Sequence, residues 1–256
     1  MMRLTISFPS TTLLRPVEIQ VGLPSGFSTA RPPYRTLWAL HCAMESGVFF
    51  FESLDAAGIA DREQVAIVAP SLGNGYFINS VAEAQGDFLQ EMFIALHEIL
   101  PLSSRKEDNV VLGVSMGAFG ALRWGLECRC FARVAAVSGV FDALLPPDER
   151  LMKKRAQRAL YLSIGRVMQR LLLDADGRTR PEADFPRLLQ ATGTDFPQIY
   201  LYCGEEDYLS LSQTDKMEEL CRHFACPVQR HVSAGEHDAA YWRGIFPRAV
   251  NELFAN

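Results

Sequence analysis

Eight short runs of apolar or alternating residues divide the chain, at 4–8, 17–21, 35–41, 65–69, 110–113, 134–138, 199–203 and 228–232. Most are rich in β-branched or aromatic side chains, which suit a pleated surface, and all are too short for an ordinary helix. In the first two (LTISF, VEIQV) apolar and polar positions alternate, and a Pro/Ser/Thr-containing connection joins them, predicting a hairpin-like pair of edge strands. The third, RTLWALH, follows the turn-forming Arg31, Pro32 and Pro33 and is too continuously apolar for a half-exposed strand. It reads as a buried central strand, and the later runs share its character.

Between the runs lie stretches of helical character at 50–60, 87–100, 116–126 and 211–224, the last with Met217, Leu220 and Phe224 on one stripe. Strands alternating with amphipathic helices form βαβ units. The pattern therefore predicts an α/β fold with an about eight-stranded, mostly parallel sheet and helices on both faces. Ligands of such sheets bind beyond the carboxyl ends of the strands. The interval 141–196 breaks the alternation. Pro146, Pro147, Asp148 and Glu149 suit a helix start, where proline and early carboxylates match the unpaired N–H groups. A helix over roughly 148–173 should follow, with Lys153, Lys154, Arg155, Arg158, Arg166 and Arg170 as a basic set and Leu160, Ile164, Val167 and Leu171 as an apolar stripe. We expect one domain over 1–256, with a helical lid-like insertion at about 142–196.

Composition narrows the classes. The 256 residues are 48% hydrophobic and 21% charged, ordinary for a globular domain with a large core. A net charge of −5 without a sustained basic stripe argues against nucleic acid as the main partner. Polar residues break every apolar run of the first sixteen, so neither a signal-peptide core nor a membrane span is expected. Six cysteines in so long a chain do not suggest a disulfide framework, and a reducing cytoplasm is the expected location. Cys221, His223 and Cys226 lack the paired C-x-x-C units of a metal site, and Asp174–Gly177 lacks the later ligands of a calcium loop. No metal is expected.

Candidate chemistry centres on Gly113-Val114-Ser115-Met116-Gly117, a G-x-S-x-G string between an apolar run and a stretch of small residues at helical spacing. In a nucleophile elbow this pattern turns a strand sharply into a helix with serine at the tip. The acid and base should follow in the order Ser, Asp or Glu, His, beyond late strands. After 199–203 come Glu205, Glu206 and Asp207; after 228–232 come Gly235, Glu236 and His237. Of five histidines, His237 alone falls in a short loop after the last predicted strand. Asp207, furthest into its loop, is the expected acid, with Asp142 after the preceding strand as the alternative. An oxyanion hole should use the N–H of Met116, at a helix start, and that of Ala43, in the loop after 35–41. Tyr76, Phe77, Phe141 and Trp242 are candidate pocket residues.

These stretches together resemble the esterase D family of α/β-hydrolases, most closely its tributyrin-esterase-like branch. ALHCAMESG (39–47) is similar to that family's L-H-G oxyanion segment, REQVAIVAPSLGNGYFIN (62–79) to its strand and tyrosine-bearing loop, and GDFLQEMF and LGVSMGAFGAL to its helix and elbow. AAVSGVFD, YCGEEDYL and VSAGEHDAAYW resemble the segments that follow. The resemblance implies Ser115 as nucleophile, Asp207 as acid and His237 as base of an esterase acting on short-chain acyl esters, small molecules handled without a cofactor. Two positions depart from it. Ala118 replaces the second glycine after Met116, and Cys42 replaces the glycine after His41, where a side chain can demand a different backbone angle and displace the Ala43 donor. Acyl transfer through the same acyl-enzyme, or a non-catalytic binding role on the same fold, are the alternative readings.

Overall fold

The structure, a computed structural model, describes residues 1–26, 33–153 and 155–255. Arg31 and Pro32 of the expected turn and Lys154 of the basic set lie outside them. Eight strands form one sheet: β1 (Met2–Ser10), β2 (Arg15–Leu23), β3 (Thr36–Leu40), β4 (Ala66–Pro70), β5 (Asn109–Val114), β6 (Arg133–Val137), β7 (Gln198–Gly204) and β8 (Val228–Ser233). Their order is β1-β2-β4-β3-β5-β6-β7-β8. The first two pairings, β1 with β2 and β2 with β4, are antiparallel, and all others are parallel. The hairpin is as expected, but β2 is an interior strand, because its residues 19–22 also pair with β4. Only β1 and β8 are edges.

Side chains alternate across the pleat, so each central strand feeds two cores. Trp38 and Leu40 of β3 enter one with Val68 and Val111; Leu37 and Ala39 enter the other with Ile67, Val110 and Leu112. The first core is covered by α3 (Gln85–Ile99), α4 (Met116–Cys128), α5 (Arg155–Leu172), α6 (Phe185–Thr192) and α7 (Leu211–His223). The second lies under α1 (Val48–Ser53), α2 (Ala56–Glu63) and α8 (Ala239–Phe254).

Three elements differ from expectation. The helix expected at 50–60 is two, because Asp55 takes a left-handed φ of 55° and its carboxylate accepts the Gly58 N–H, starting α2 afresh. The helix expected from 148 begins at Arg155. Residues 148–152 form successive turns instead, and the Asp148 carboxylate is engaged by the backbone and guanidinium of Arg150. The sequence reading placed no helix after His237, yet α8 runs sixteen residues there, capped by Asp238, with Pro247 inside it. The expected turn at 174–177 is present, with Asp174 accepting from Asp176 N and Arg178 N. Cys128 and Cys130 are joined as a disulfide at the end of α4, a departure from the expectation of wholly reduced cysteines; Cys42, Cys203, Cys221 and Cys226 are free and buried. Among the described residues, no helix is long and apolar enough to cross a membrane.

Candidate active site

The parallel strands bring the carboxyl ends of β3, β5, β6, β7 and β8 to one rim. At its centre β5 passes into α4 through Ser115, whose backbone lies at φ 54°, ψ −112°. The flanking glycines are required sterically. A Cβ on Gly113 would overlap the Gly117 carbonyl, and one on Gly117 would overlap the carbonyl of Leu40. The same close approach seats the elbow against the end of β3. Ser115 occupies the N-cap of α4 without capping it by side chain. Its Oγ instead lies 3.0 Å from His237 Nε2.

His237 and Asp207 come from neighbouring loops that continue the β7–β8 pairing past the sheet. Glu205 N donates to Ser233 O and Glu206 N to Gly235 O, each at 2.9 Å, and Gly204 packs on the Gly235 carbonyl too closely to admit a Cβ. His237 Nδ1 lies 2.9 Å from Asp207 Oδ2 and 3.0 Å from Oδ1. A carboxylate can only accept, so the proton sits on Nδ1 and Nε2 faces Ser115 as an acceptor. Asp207 is fully buried, and its Oδ1 also accepts from Leu209 N (3.1 Å) and Ser210 N (2.9 Å). Burial pushes this carboxyl up, but the charge and hydrogen bond of His237, the Ser138 hydroxyl and the Ser210 N–H outweigh it, holding the group below the ordinary carboxylate value. Asp207 therefore stays ionised. The alternative acid is elsewhere: Asp142 pairs with Lys216 Nζ at 2.7 Å and accepts from Leu144 N. Glu205 and Glu206 are exposed, and Glu206 pairs with Lys153.

The loop after β3 lies beside the elbow, tied down by its neighbours. His41 donates from Nδ1 to Cys42 O (2.8 Å) and accepts the Leu72 N–H at Nε2 (3.2 Å). Met44 N donates to Asn74 Oδ1 at 2.7 Å. Burial lowers the His41 pKa from 6.5 to about 4, which keeps Nε2 an acceptor. The left-handed residue of this loop is Met44 at φ 67°, not Cys42, so the side chain at 42 demands no special backbone angle. Cys42 points into the second core, and burial pushes its thiol up to about 12, with Glu45 adding to the shift. Ala118 is likewise wholly buried. Among the described residues, the N–H groups of Ala43 and Met116 have no hydrogen-bond acceptor.

The four candidate pocket residues are all buried. Tyr76 and Phe77 occupy consecutive left-handed conformations, at φ 57° and 56°. Phe77 is core, wedged against Gly120 and the His41 ring, while Tyr76 packs edge-on to Phe119. Phe141 packs on Phe185. Trp242 is a support for the histidine rather than a pocket wall: its ring meets that of His237 edge-on at 5.1 Å, and its Nε1 donates to Ser138 Oγ at 3.0 Å. A cavity of 570 Å³ bounded by Phe141, Phe185, Lys216, Met217 and other residues contains none of Ser115, Asp207 and His237. Sequence reasoning missed Ser138 and Ser210. Their only sequence signal is position: each stands just beyond the carboxyl end of a central strand or at the first turn of the helix after it.

No protein-family model matches the chain. It is 24% identical over 227 residues to an acetyl esterase of Caldicellulosiruptor saccharolyticus, covering 84% of this chain and 81% of that protein. Its structure superposes on a substrate-bound fluorophosphonate-binding serine hydrolase of Staphylococcus aureus with a TM-score of 0.79 at 24% identity, covering 100% of this chain and 98% of the other. An S-formylglutathione hydrolase of the same organism gives 0.76 at 24% identity, covering 99% and 98%. The fold is that of the α/β-hydrolases.

Proposed function

We propose that this protein is a serine carboxylesterase that hydrolyses short-chain acyl esters through an acyl-enzyme, as in the esterase D family and its tributyrin-esterase-like branch. The observation that carries the reading is the buried chain from Ser115 Oγ through His237 to Asp207, set at the tip of a strained elbow. Ser115 Oγ attacks the ester carbonyl as its proton passes to His237 Nε2, and Asp207 steadies the imidazolium. The Met116 N–H, at the positive end of the α4 dipole, and the Ala43 N–H receive the oxyanion. Collapse breaks the ester bond and the alcohol leaves with the proton from His237. Water, deprotonated by the same nitrogen, then releases the acid and restores Ser115. The acetyl esterase relative supports the short acyl chain.

The segment 142–196 acts as a lid in this reading. Asp148 N donates to Tyr208 O, Lys153 pairs with Glu206, and Gln157 Nε2 reaches Glu236, so the segment rests on the loops that carry the acid and the base.

A fluorophosphonate probe and a chain-length series of p-nitrophenyl esters test the proposal. The probe should modify Ser115, turnover should favour acetyl and butyryl over octanoyl esters, and Ser115→Ala should abolish labelling and lower kcat by about 10⁴-fold or more. A folded protein that the probe leaves unlabelled overturns it.

A further inference from the structure

We propose that His41 and Asn74 are positioning residues for the oxyanion hole: between them they fix the two peptide planes that meet at Ala43, and so aim the Ala43 N–H at the oxygen of the tetrahedral intermediate. The proposal rests on the esterase reading above and deepens it.

A trans peptide unit is planar, and its C=O and N–H point in opposite directions. The Ala43 N–H belongs to a unit whose other end is the Cys42 carbonyl, so whatever holds that carbonyl aims the N–H. His41 Nδ1 donates to it at 2.8 Å. The direction of this bond follows from the far side of the ring. A backbone N–H can only donate, so His41 Nε2, 3.2 Å from Leu72 N, is an acceptor and the ring proton sits on Nδ1. Both bonds are buried, away from competing water. A carbonyl that accepts a hydrogen bond also polarises its amide, which makes the N–H at the other end a stronger donor.

The next peptide unit, Ala43–Met44, is held by its N–H. Met44 N donates to Asn74 Oδ1 at 2.7 Å, with Met44 itself left-handed at φ 67°. With one plane pinned on each side of its Cα, Ala43 has neither φ nor ψ free. Both anchors, Leu72 and Asn74, come from the segment after β4, as does Ser71, whose Oγ accepts the Gly47 N–H at 3.1 Å further along the loop. That segment is itself braced. The buried Gln85, first residue of α3, donates to Leu72 O at 2.6 Å and accepts the Phe77 N–H at 3.2 Å. The Arg123 guanidinium of α4 donates to Phe77 O, also at 3.2 Å. The helix that presents the Met116 N–H thus supports the segment that aims the Ala43 N–H, and the two donors share one frame.

Substitutions at the surface and in the core test this role. Asn74 is exposed, so Asn74→Ala removes the acceptor for Met44 N–H at little risk to the fold. His41→Gln keeps an acceptor within reach of Leu72 N and takes away the donor to Cys42 O; His41→Asn keeps that donor. With p-nitrophenyl acetate, Asn74→Ala should lower kcat about threefold to tenfold and His41→Gln about tenfold or more, both at unchanged KM, because the oxyanion is absent from the bound ester. His41→Asn should recover most of the loss. A trifluoromethyl ketone adds a readout that a loss of stability would not move. Ser115 Oγ adds to its carbonyl carbon, the hydroxyl proton passes to His237 Nε2, and the resulting oxyanion occupies the hole. Its affinity should therefore fall in each variant by the same factor as kcat/KM. Wild-type kcat and ketone affinity in Asn74→Ala overturn the proposal, as does a lowered kcat in either variant with ketone affinity unchanged; if His41→Gln does not fold, Asn74→Ala decides alone. A wild type that is neither labelled by a fluorophosphonate nor active overturns the esterase reading and this one with it, whereas an active wild type with unaffected variants overturns this one only.

Discussion

His41 shows how a residue far from any proton transfer constrains the site. Its two nitrogens join the end of β3 to the loop after β4, an arrangement that needs a neutral ring. Burial lowers its pKa in the fold to about 4, below the 6.5 of a free histidine, so the unfolded chain binds the proton more readily. Folding stability is therefore complete above about pH 6.5 and declines as the pH falls towards 4, by about 2–3 kcal/mol over that window. His231, lowered by burial but more exposed, adds less. The depressed pKa of Asp207 acts in another window: its contribution is present above the ordinary carboxylate value of 3.8 and is lost only as pH falls below it. Urea titrations at a series of pH values should show the slope between pH 6.5 and 4, and His41→Gln should flatten it; an unchanged slope would rule His41 out. Ser115, Asp207 and His237 were legible because their spacing from strand ends is written in the chain. Ser138 was not, since its use depends on a backbone angle and on a tryptophan more than a hundred residues away. Cys42 misled for a related reason: the residue type suggested strain, but the positive φ fell two positions later, on Met44.

Elements that enter the core on one face or both were readable from periodicity, and those that begin or break on a polar contact were not. The elbow is the clearest of the first kind, as its two glycines are fixed by backbone overlap rather than by flexibility. Gly117→Ala drives a methyl into the Leu40 carbonyl and should cost about 3 kcal/mol or more, separating the elbow from the loop bearing Ala43. Gly165 in α5 is the control. A Cβ there meets nothing within 4 Å, so Gly165→Ala should stabilise the protein by about 0.5–1 kcal/mol. Equal effects of the two changes in urea unfolding would contradict the steric account. The second kind includes the break at Asp55 and the late start of α5, where a single carboxylate captures a nearby N–H and redirects the chain. The missed α8 is different. Tyr241, Trp242, Ile245, Phe246, Ala249, Val250 and Leu253 have helical spacing, and Pro247 in their midst disguised it.

At the scale of the whole molecule, the α/β alternation fixed the class of fold, and the continuously apolar run at 35–41 marked β3 as a central strand, which lies between β4 and β5. The order of strands was not readable locally: β4 sits between β2 and β3, an arrangement decided by pairing across the sheet and by the two cores. The consequence falls on β8. Within the sheet it pairs with β7 alone, and every one of its residues is partly or fully exposed, while β5 at the centre is wholly buried. Yet β8 carries the loop that presents His237. Local opening of a sheet edge needs less free energy than global unfolding. The working range of the protein should then end where its rim frays, not where its core melts. On heating, esterase activity and labelling of Ser115 should fall several degrees before the helical circular-dichroism signal, and the amides of β8 should exchange faster than those of β5. Coincident loss of activity and helical signal would mean that the rim and the core open as one.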